Sequence, residues 1–257
     1  MQYFVPRAFL RKQLQSLFGE RRCCRCAAVF RPDGPGTGRI FCARCLAALA
    51  GRELGHCPSC GELAAWPTLP LAPCRKCLEH PPPWADFFFH GPYEGILRHM
   101  LLALKFGNQV GFGRSLGCLL AEHPGFDRIS PDALIPVPLH PKRLDRRGYN
   151  QALEIAAPLA RRLRVPIWAS ALARVRNTAP QSGFNNEERQ KNIHQAFRCT
   201  RNLHGRHLLL VDDTLTTGAT LQAAGTELLQ AGAAKISVAD VSRTARHHEK
   251  DSPRGTS

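Results

Sequence analysis

Leu208-Leu209-Leu210-Val211-Asp212-Asp213-Thr214-Leu215-Thr216-Thr217-Gly218-Ala219-Thr220 is a run of four apolar residues, two adjacent carboxylates and a hydroxyl-rich glycine turn. A short uninterrupted apolar run bounded by turn chemistry reads as a strand buried on both faces, the kind that parallel sheets use. From Thr220 to Gln230 the apolar spacing becomes helical, so the segment is a strand, a turn and a helix. The polar residues fall in the crevice at the carboxyl end of the strand, where open α/β sheets bind ligands.

The same alternation extends in both directions. Ala133 to Val137 and Ile236 to Val241 read as two further buried strands, and Gln151 to Leu163 as an amphipathic helix with Ile155, Ala156, Leu159 and Leu163 inward. Ile96, Leu97, Met100, Leu101 and Leu104 share one helical face, and a second packing helix is expected from about Gly111 to Ala121. Strand alternating with helix predicts an α/β fold on a parallel sheet flanked by helices. His80-Pro81-Pro82-Pro83 removes backbone donors and stiffens the chain, which sets a domain boundary near Trp84. The expected layout is residues 1–83 as an N-terminal helix and cysteine module, 84–246 as the α/β domain, and 247–257 as a polar, disordered tail.

The residue types at the turn suit a phosphorylated sugar. A helix N-terminus offers unpaired N–H groups and positive partial charge, Thr214, Thr216, Thr217 and Thr220 add hydroxyls, and Gly218 lets the backbone come close. Asp212 and Asp213 can accept from two vicinal ribose hydroxyls and help orient a Mg2+-bound sugar. Helix capping alone explains one such polar residue and not the series. The run resembles the thirteen-residue signature by which type I phosphoribosyltransferases bind phosphoribosyl pyrophosphate (PRPP). A second cluster, Pro136 to Gln151, brings Lys142, Arg143, Arg146 and Arg147 into what reads as one loop after a strand, four cations able to clamp a pyrophosphate. Asn177 to Asn192 is long, polar and rich in amides, which suits a mobile lid over a reactive sugar.

Eight of eleven cysteines form four Cys-x-x-Cys pairs: Cys23/Cys26, Cys42/Cys45, Cys57/Cys60 and Cys74/Cys77. Two such turns complete the tetrahedral sulfur shell that zinc accepts, so four supply two shells, paired here in sequence order, 23/26 with 42/45 and 57/60 with 74/77, with interleaved pairing as the alternative. The segment between Arg21 and Cys77 has few large aliphatic residues, so metal binding would supply its folding energy. Cys24 is a possible substitute ligand, and Cys118 and Cys199 read as ordinary thiols. Ahead of the module, Phe4, Val5, Phe9, Leu10, Leu14, Leu17 and Phe18 recur at near-helical spacing among Arg7, Arg11 and Lys12. Packing onto the protein itself is favoured over a membrane-surface helix.

Lys and Arg total 35 against 20 Asp and Glu, a net +15, which attracts nucleic acid or phosphorylated metabolites. Arg21, Arg22, Arg25, Arg31, Arg39, Arg44, Arg75 and Lys76 form a candidate phosphate-tracking surface, with Phe30, Phe41 and Trp66 as candidate stacking residues. The sequence contains no run long enough to be a transmembrane span, no secretory signal and no Walker-type G-x-x-x-x-G-K-[ST], so a soluble cytoplasmic protein is expected, and any motor that moves DNA must be a separate partner.

The two polar clusters, the stretch Tyr93 to Phe106 and the tandem cysteine pairs together resemble the ComF family of bacterial competence proteins. Arg174, Arg176, Thr178, Gln181, Arg189, Asn192, Ala196 and Phe197 fall on its R-x-R-x-T-x-x-Q and R-x-x-N-x-x-x-A-F pattern. The resemblance implies a type I phosphoribosyltransferase fold behind a double zinc ribbon, with two structural Zn2+, and PRPP bound with Mg2+. It further implies a lid carrying Arg174, Arg176 and Gln181, and a role in handling imported single-stranded DNA at the inner face of the membrane. The alternative is a phosphoribosyltransferase of nucleotide metabolism or salvage. In either case transfer would displace pyrophosphate from C1 of the ribose, and no residue set names the acceptor.

Overall fold

The structure is a computed structural model that describes residues 19–32, 37, 40–176 and 195–245. The expected N-terminal amphipathic helix, Arg39 of the expected basic surface, the lid with Gln181 and the polar tail lie outside the described residues.

Four parallel strands form the central sheet in the order β3-β8-β7-β4, with β3 at Asp86–Pro92, β4 at Ala133–Pro136, β7 at His207–Leu215 and β8 at Lys235–Arg243. The chain after the next helix adds one parallel bridge, Leu134 to Ile167, on the far side of β4. Successive residues of β7 go to opposite layers, which is why its sequence shows no polar alternation. Leu209 and Val211 pack under helices α3 (Gly95–Phe106), α4 (Gly111–Ala121) and α6 (Gln151–Leu163), against Leu101, Leu116 and Ile155. Leu208 and Leu210 join Phe87, Phe89 and Val238 under helix α7 (Ala219–Gln230), against Leu221 and Leu228.

Helices α4 and α6 approach until a Cβ on Gly117 would lie 2.3 Å from the carbonyl oxygen of Ile155, so glycine sets their spacing. A hairpin of β5 (Leu172–Arg174) and β6 (Phe197–Cys199) stands apart from the main sheet. The cysteine-rich part carries a two-residue hairpin, β1 (Arg21–Arg22) with β2 (Val29–Phe30), and the short helices α1 (Ala43–Ala48) and α2 (Arg75–Glu79). It shares the main core: Cys23, Phe41, Cys45 and Leu49 are buried in the same cluster as Leu97 and Leu120. Farther along, Trp84 Nε1 donates to Ser59 O at 2.7 Å, and Gly61 lies against the Phe87 ring. The segment with Lys142, Arg143, Arg146 and Arg147, read as a loop, is instead helix α5 (Pro141–Arg147). His140 caps its N-terminus through Nδ1, Pro141 fits the first turn, and left-handed Gly148 ends it.

Candidate functional site

Strand β4 ends at Pro136, level with Val211, while β7 continues to Leu215 beside β8. Beyond Val211 one edge of β7 is therefore open, and Asp212 to Thr216 border a cleft of about 510 Å3, of a size that takes a small-molecule ligand. The N-terminus of α7 closes one end, with Gly218 as its cap at φ 85°, a conformation that glycine adopts without strain. Asp212, Asp213, Thr214, Thr216, Gly218 and Thr220 all line this cleft. Thr217 does not: its hydroxyl accepts from Ala219 N at 3.4 Å, and the residue borders a separate cavity on the other side of the turn.

Into the same cleft, α5 and the end of β5 present Arg143, Arg146, Arg147 and Arg174. Lys142 and Arg176 do not border the cleft surface. Burial and the neighbouring charges of Arg147 and Arg146 push Arg143 below the usual guanidinium range. Burial first, then Arg143, does the same to Arg174. Such crowding of like charges is relieved when an anion enters. Arg147 donates to Gln151 Oε1 at 2.6 Å and sits 5.8 Å from the centre of the Phe106 ring, which is 72% exposed at the cleft mouth.

Lys105 at the end of α3 forms an ion pair with Asp213 Oδ1 at 3.0 Å and donates to Thr214 Oγ1 at 3.1 Å. The Tyr149 hydroxyl donates to Leu104 O and fixes this end of α3. Burial opposes charge on Lys105, yet the charge and hydrogen bond of Asp213 hold its ammonium above the usual range. Burial, and next the charge of Asp213, push Asp212 up to about 7. Asp240 on β8 stands in register with Asp212, is fully buried, and has no hydrogen-bond partner for either oxygen. Burial, with Asp212 and Asp213, pushes it well above the carboxylate range. Sequence placed Lys105 only within the Tyr93 to Phe106 stretch that carries the family resemblance and gave it no role in the cleft, and it gave Asp240, inside the Ile236 to Val241 run read as a buried strand, no role at all. Asp213 Oδ2 is also buried without a partner, so the dyad keeps a hard oxygen donor of the kind Mg2+ takes.

The cysteines form two groups in sequence order, Cys23, Cys26, Cys42 and Cys45 in one and Cys57, Cys60, Cys74 and Cys77 in the other. Within each, the four sulfurs lie within 4.8 Å of one another, with Cys26 to Cys42 and Cys60 to Cys74 at 3.7 Å. That separation is close to the edge of a tetrahedron whose centre is about 2.3 Å from each sulfur, the zinc–thiolate distance. A hydrogen bond from Cys60, helped by the Cys74 N–H, holds Cys57 at about 4 against the cost of burial. Each group could thus hold a metal ion, and Cys24 lies outside both.

A sheet that opens beside paired carboxylates, with a hydroxyl loop at a helix N-terminus, defines a phosphoribosyltransferase-class domain, and the phosphoribosyl transferase domain family matches residues 150–255. DNA utilization protein YhgH of Salmonella typhimurium is 35% identical over 209 residues, which are 79% of this chain and 90% of that protein. Competence protein F of Haemophilus influenzae is 31% identical over 75% of this chain and 87% of its own. Competence protein ComFC of Bacillus subtilis is 28% identical over 85% and 88%. The chain belongs to this competence protein F, or ComF, family. No helix among the described residues is long and apolar enough to cross a membrane.

Proposed function

We propose that this protein binds PRPP in the β7–α7 cleft and acts on imported single-stranded DNA through its cysteine-rich part, held by two structural zinc ions. The observation that carries the reading is the meeting, in one cleft, of Asp212, Asp213, Thr216, Gly218 and Thr220 with the crowded Arg143, Arg146, Arg147 and Arg174. Asp212 and Asp213 accept the ribose hydroxyls, the α7 N-terminus and Thr216, Gly218 and Thr220 take the 5-phosphate, and the arginines take the pyrophosphate. Mg2+ would supply charge neutralisation between the dyad and the pyrophosphate. Transfer would form a bond at C1 of the ribose as the C1–oxygen bond breaks and its electron pair leaves with pyrophosphate, whose charge the arginines hold.

For DNA, Arg21, Arg22, Arg25, Arg31, Arg44, Arg75 and Lys76 are all exposed, and Trp66 is exposed for base stacking. Phe41, expected as a stacking residue, is 1% exposed and belongs to the core. The relatives named for competence and DNA utilization favour this role. Calorimetric titration of zinc-loaded protein with PRPP and Mg2+, repeated with Asp212→Asn/Asp213→Asn, tests the cleft. Loss of binding in the variant is expected, and binding that survives would refute the assignment. Single-stranded DNA binding should weaken steeply between about 50 and 200 mM salt. Salt-independent binding would remove the electrostatic account.

A further inference from the structure

Arg243, at the end of β8, is 1% exposed, the largest fully buried side chain among the described residues. Its Nη1 donates to the carbonyl of Thr216 and, at 3.4 Å, to that of Leu215, while Nη2 pairs with Glu62 Oε2 at 2.5 Å. Glu62 belongs to the second cysteine group: its carbonyl accepts from Cys57 N at 2.9 Å, closing the turn that carries Cys57 and Cys60. One guanidinium therefore spans from the second sulfur shell to the backbone of the hydroxyl loop.

We infer that Arg243 and Glu62 are positioning residues that hold the phosphate-binding loop in its working shape, so that the turn carrying Cys57 and Cys60 braces the PRPP cleft. The inference rests on the PRPP reading for its ligand but not for its geometry. In a planar trans peptide the N–H points opposite to the C=O. Fixing the Thr216 carbonyl on Arg243 turns the Thr217 N–H the other way, toward the cleft side of the loop. Thr244 reinforces the hold, donating from N to Leu215 O at 3.0 Å. A cavity of about 350 Å3 is lined by Cys60 and Cys77 of the second sulfur group and by Thr217 and Gly218 of the loop, and Arg243 borders it, so the Arg243 pair adds a charged link to the contacts of Gly61 and Trp84. Breaking a buried charge pair on one side leaves the other charge uncompensated, which makes this link costly to loosen.

The test compares zinc-loaded full-length wild type, Glu62→Gln and Arg243→Lys by amide hydrogen exchange without ligand, by zinc content and by PRPP titration. Arg243→Lys keeps a cation for Glu62 but cannot reach both carbonyls and the carboxylate, and it decides the matter if Glu62→Gln fails to fold. Exchange over residues 215–220 should quicken by at least about tenfold in both variants, with residues 151–163 unchanged and zinc retained, and PRPP should bind at least about tenfold more weakly. Unchanged exchange over 215–220, or equal quickening over 151–163, overturns the inference. If the wild type shows the exchange difference from the variants yet binds no PRPP, the ligand assignment fails and the coupling stands.

Discussion

Replacing Lys105 by Met probes the cleft's charge balance directly. The Lys105 and Asp213 side chains are 20% and 6% exposed with 3.0 Å between nitrogen and oxygen. At an effective dielectric of about 20, charges at that distance attract by roughly 5–6 kcal/mol, most of it offset by the water both groups have lost. Methionine has a similar shape but leaves Asp213 buried without its cation, and Asp213 Oδ2 already has no partner. Removing one member of such a pair costs about 3–5 kcal/mol. In a domain of this size each kcal/mol shifts Tm by about 2–4 °C, so Lys105→Met should melt roughly 6–20 °C below wild type. The defect is the stranded charge, so adding Asp213→Asn should recover most of the loss. The assay is thermal unfolding of the zinc-loaded wild type, both single variants and the double variant. A Lys105→Met protein as stable as wild type, or a double variant no better than Lys105→Met, would refute the view that these groups stabilise each other as a buried pair.

Because the folded pKa of Asp212 is raised from 3.8 to about 7, its contribution to stability is fully present below pH 3.8 and is lost as pH rises through 7; wild-type denaturation curves should show this decline and Asp212→Asn should flatten it. An ionised carboxylate accepts PRPP hydroxyls more strongly than the acid does, so affinity should rise over the same window as Asp212 loses its proton, with Asp213, Asp240, Lys105 and Arg174 setting the midpoint; Asp212→Asn should remove the part of the rise that is not due to PRPP itself. Gly117→Ala places a Cβ 2.3 Å from a backbone oxygen that cannot move alone, and should cost at least about 1–3 kcal/mol in urea unfolding. Stripping metal with a strong chelator should release two zinc ions per chain and make the eight grouped cysteines reactive in a thiol titration, whereas release of one ion would mean that one sulfur group is not a metal site.

The main sheet was largely legible because its inner strands are uninterrupted apolar runs and its helices keep one apolar face. Helices α4 and α6 have the expected ends, Gly111 to Ala121 and Gln151 to Leu163. Strand β3 escaped because Asp-Phe-Phe-Phe-His-Gly-Pro buries three consecutive aromatic residues on two faces and follows a proline run that looks like a linker. Helix α5 escaped because its one large apolar residue, Leu144, is 41% exposed, so no periodicity shows, although the His140 cap, Pro141 and Gly148 were readable signals. Strands β5 and β6, three residues each, are too short to carry a pattern. In the cleft, the residue types of the hydroxyl loop were visible in sequence. The contributions of Lys105, Asp240 and Arg243 depend on register and on packing between distant segments, and no local pattern encodes those.

The strand order has a consequence for synthesis. β3 finds its partner in β8, and about 140 residues must be translated between them. At about 5–20 residues per second that is roughly 7–30 s. Throughout that interval Phe87, Phe88 and Phe89 have no sheet to join, which makes the half-made chain a client for chaperones. The link from Glu62 to Arg243 closes last, so a truncated product can assemble its sulfur shells and still lack a shaped Thr216–Thr220 loop.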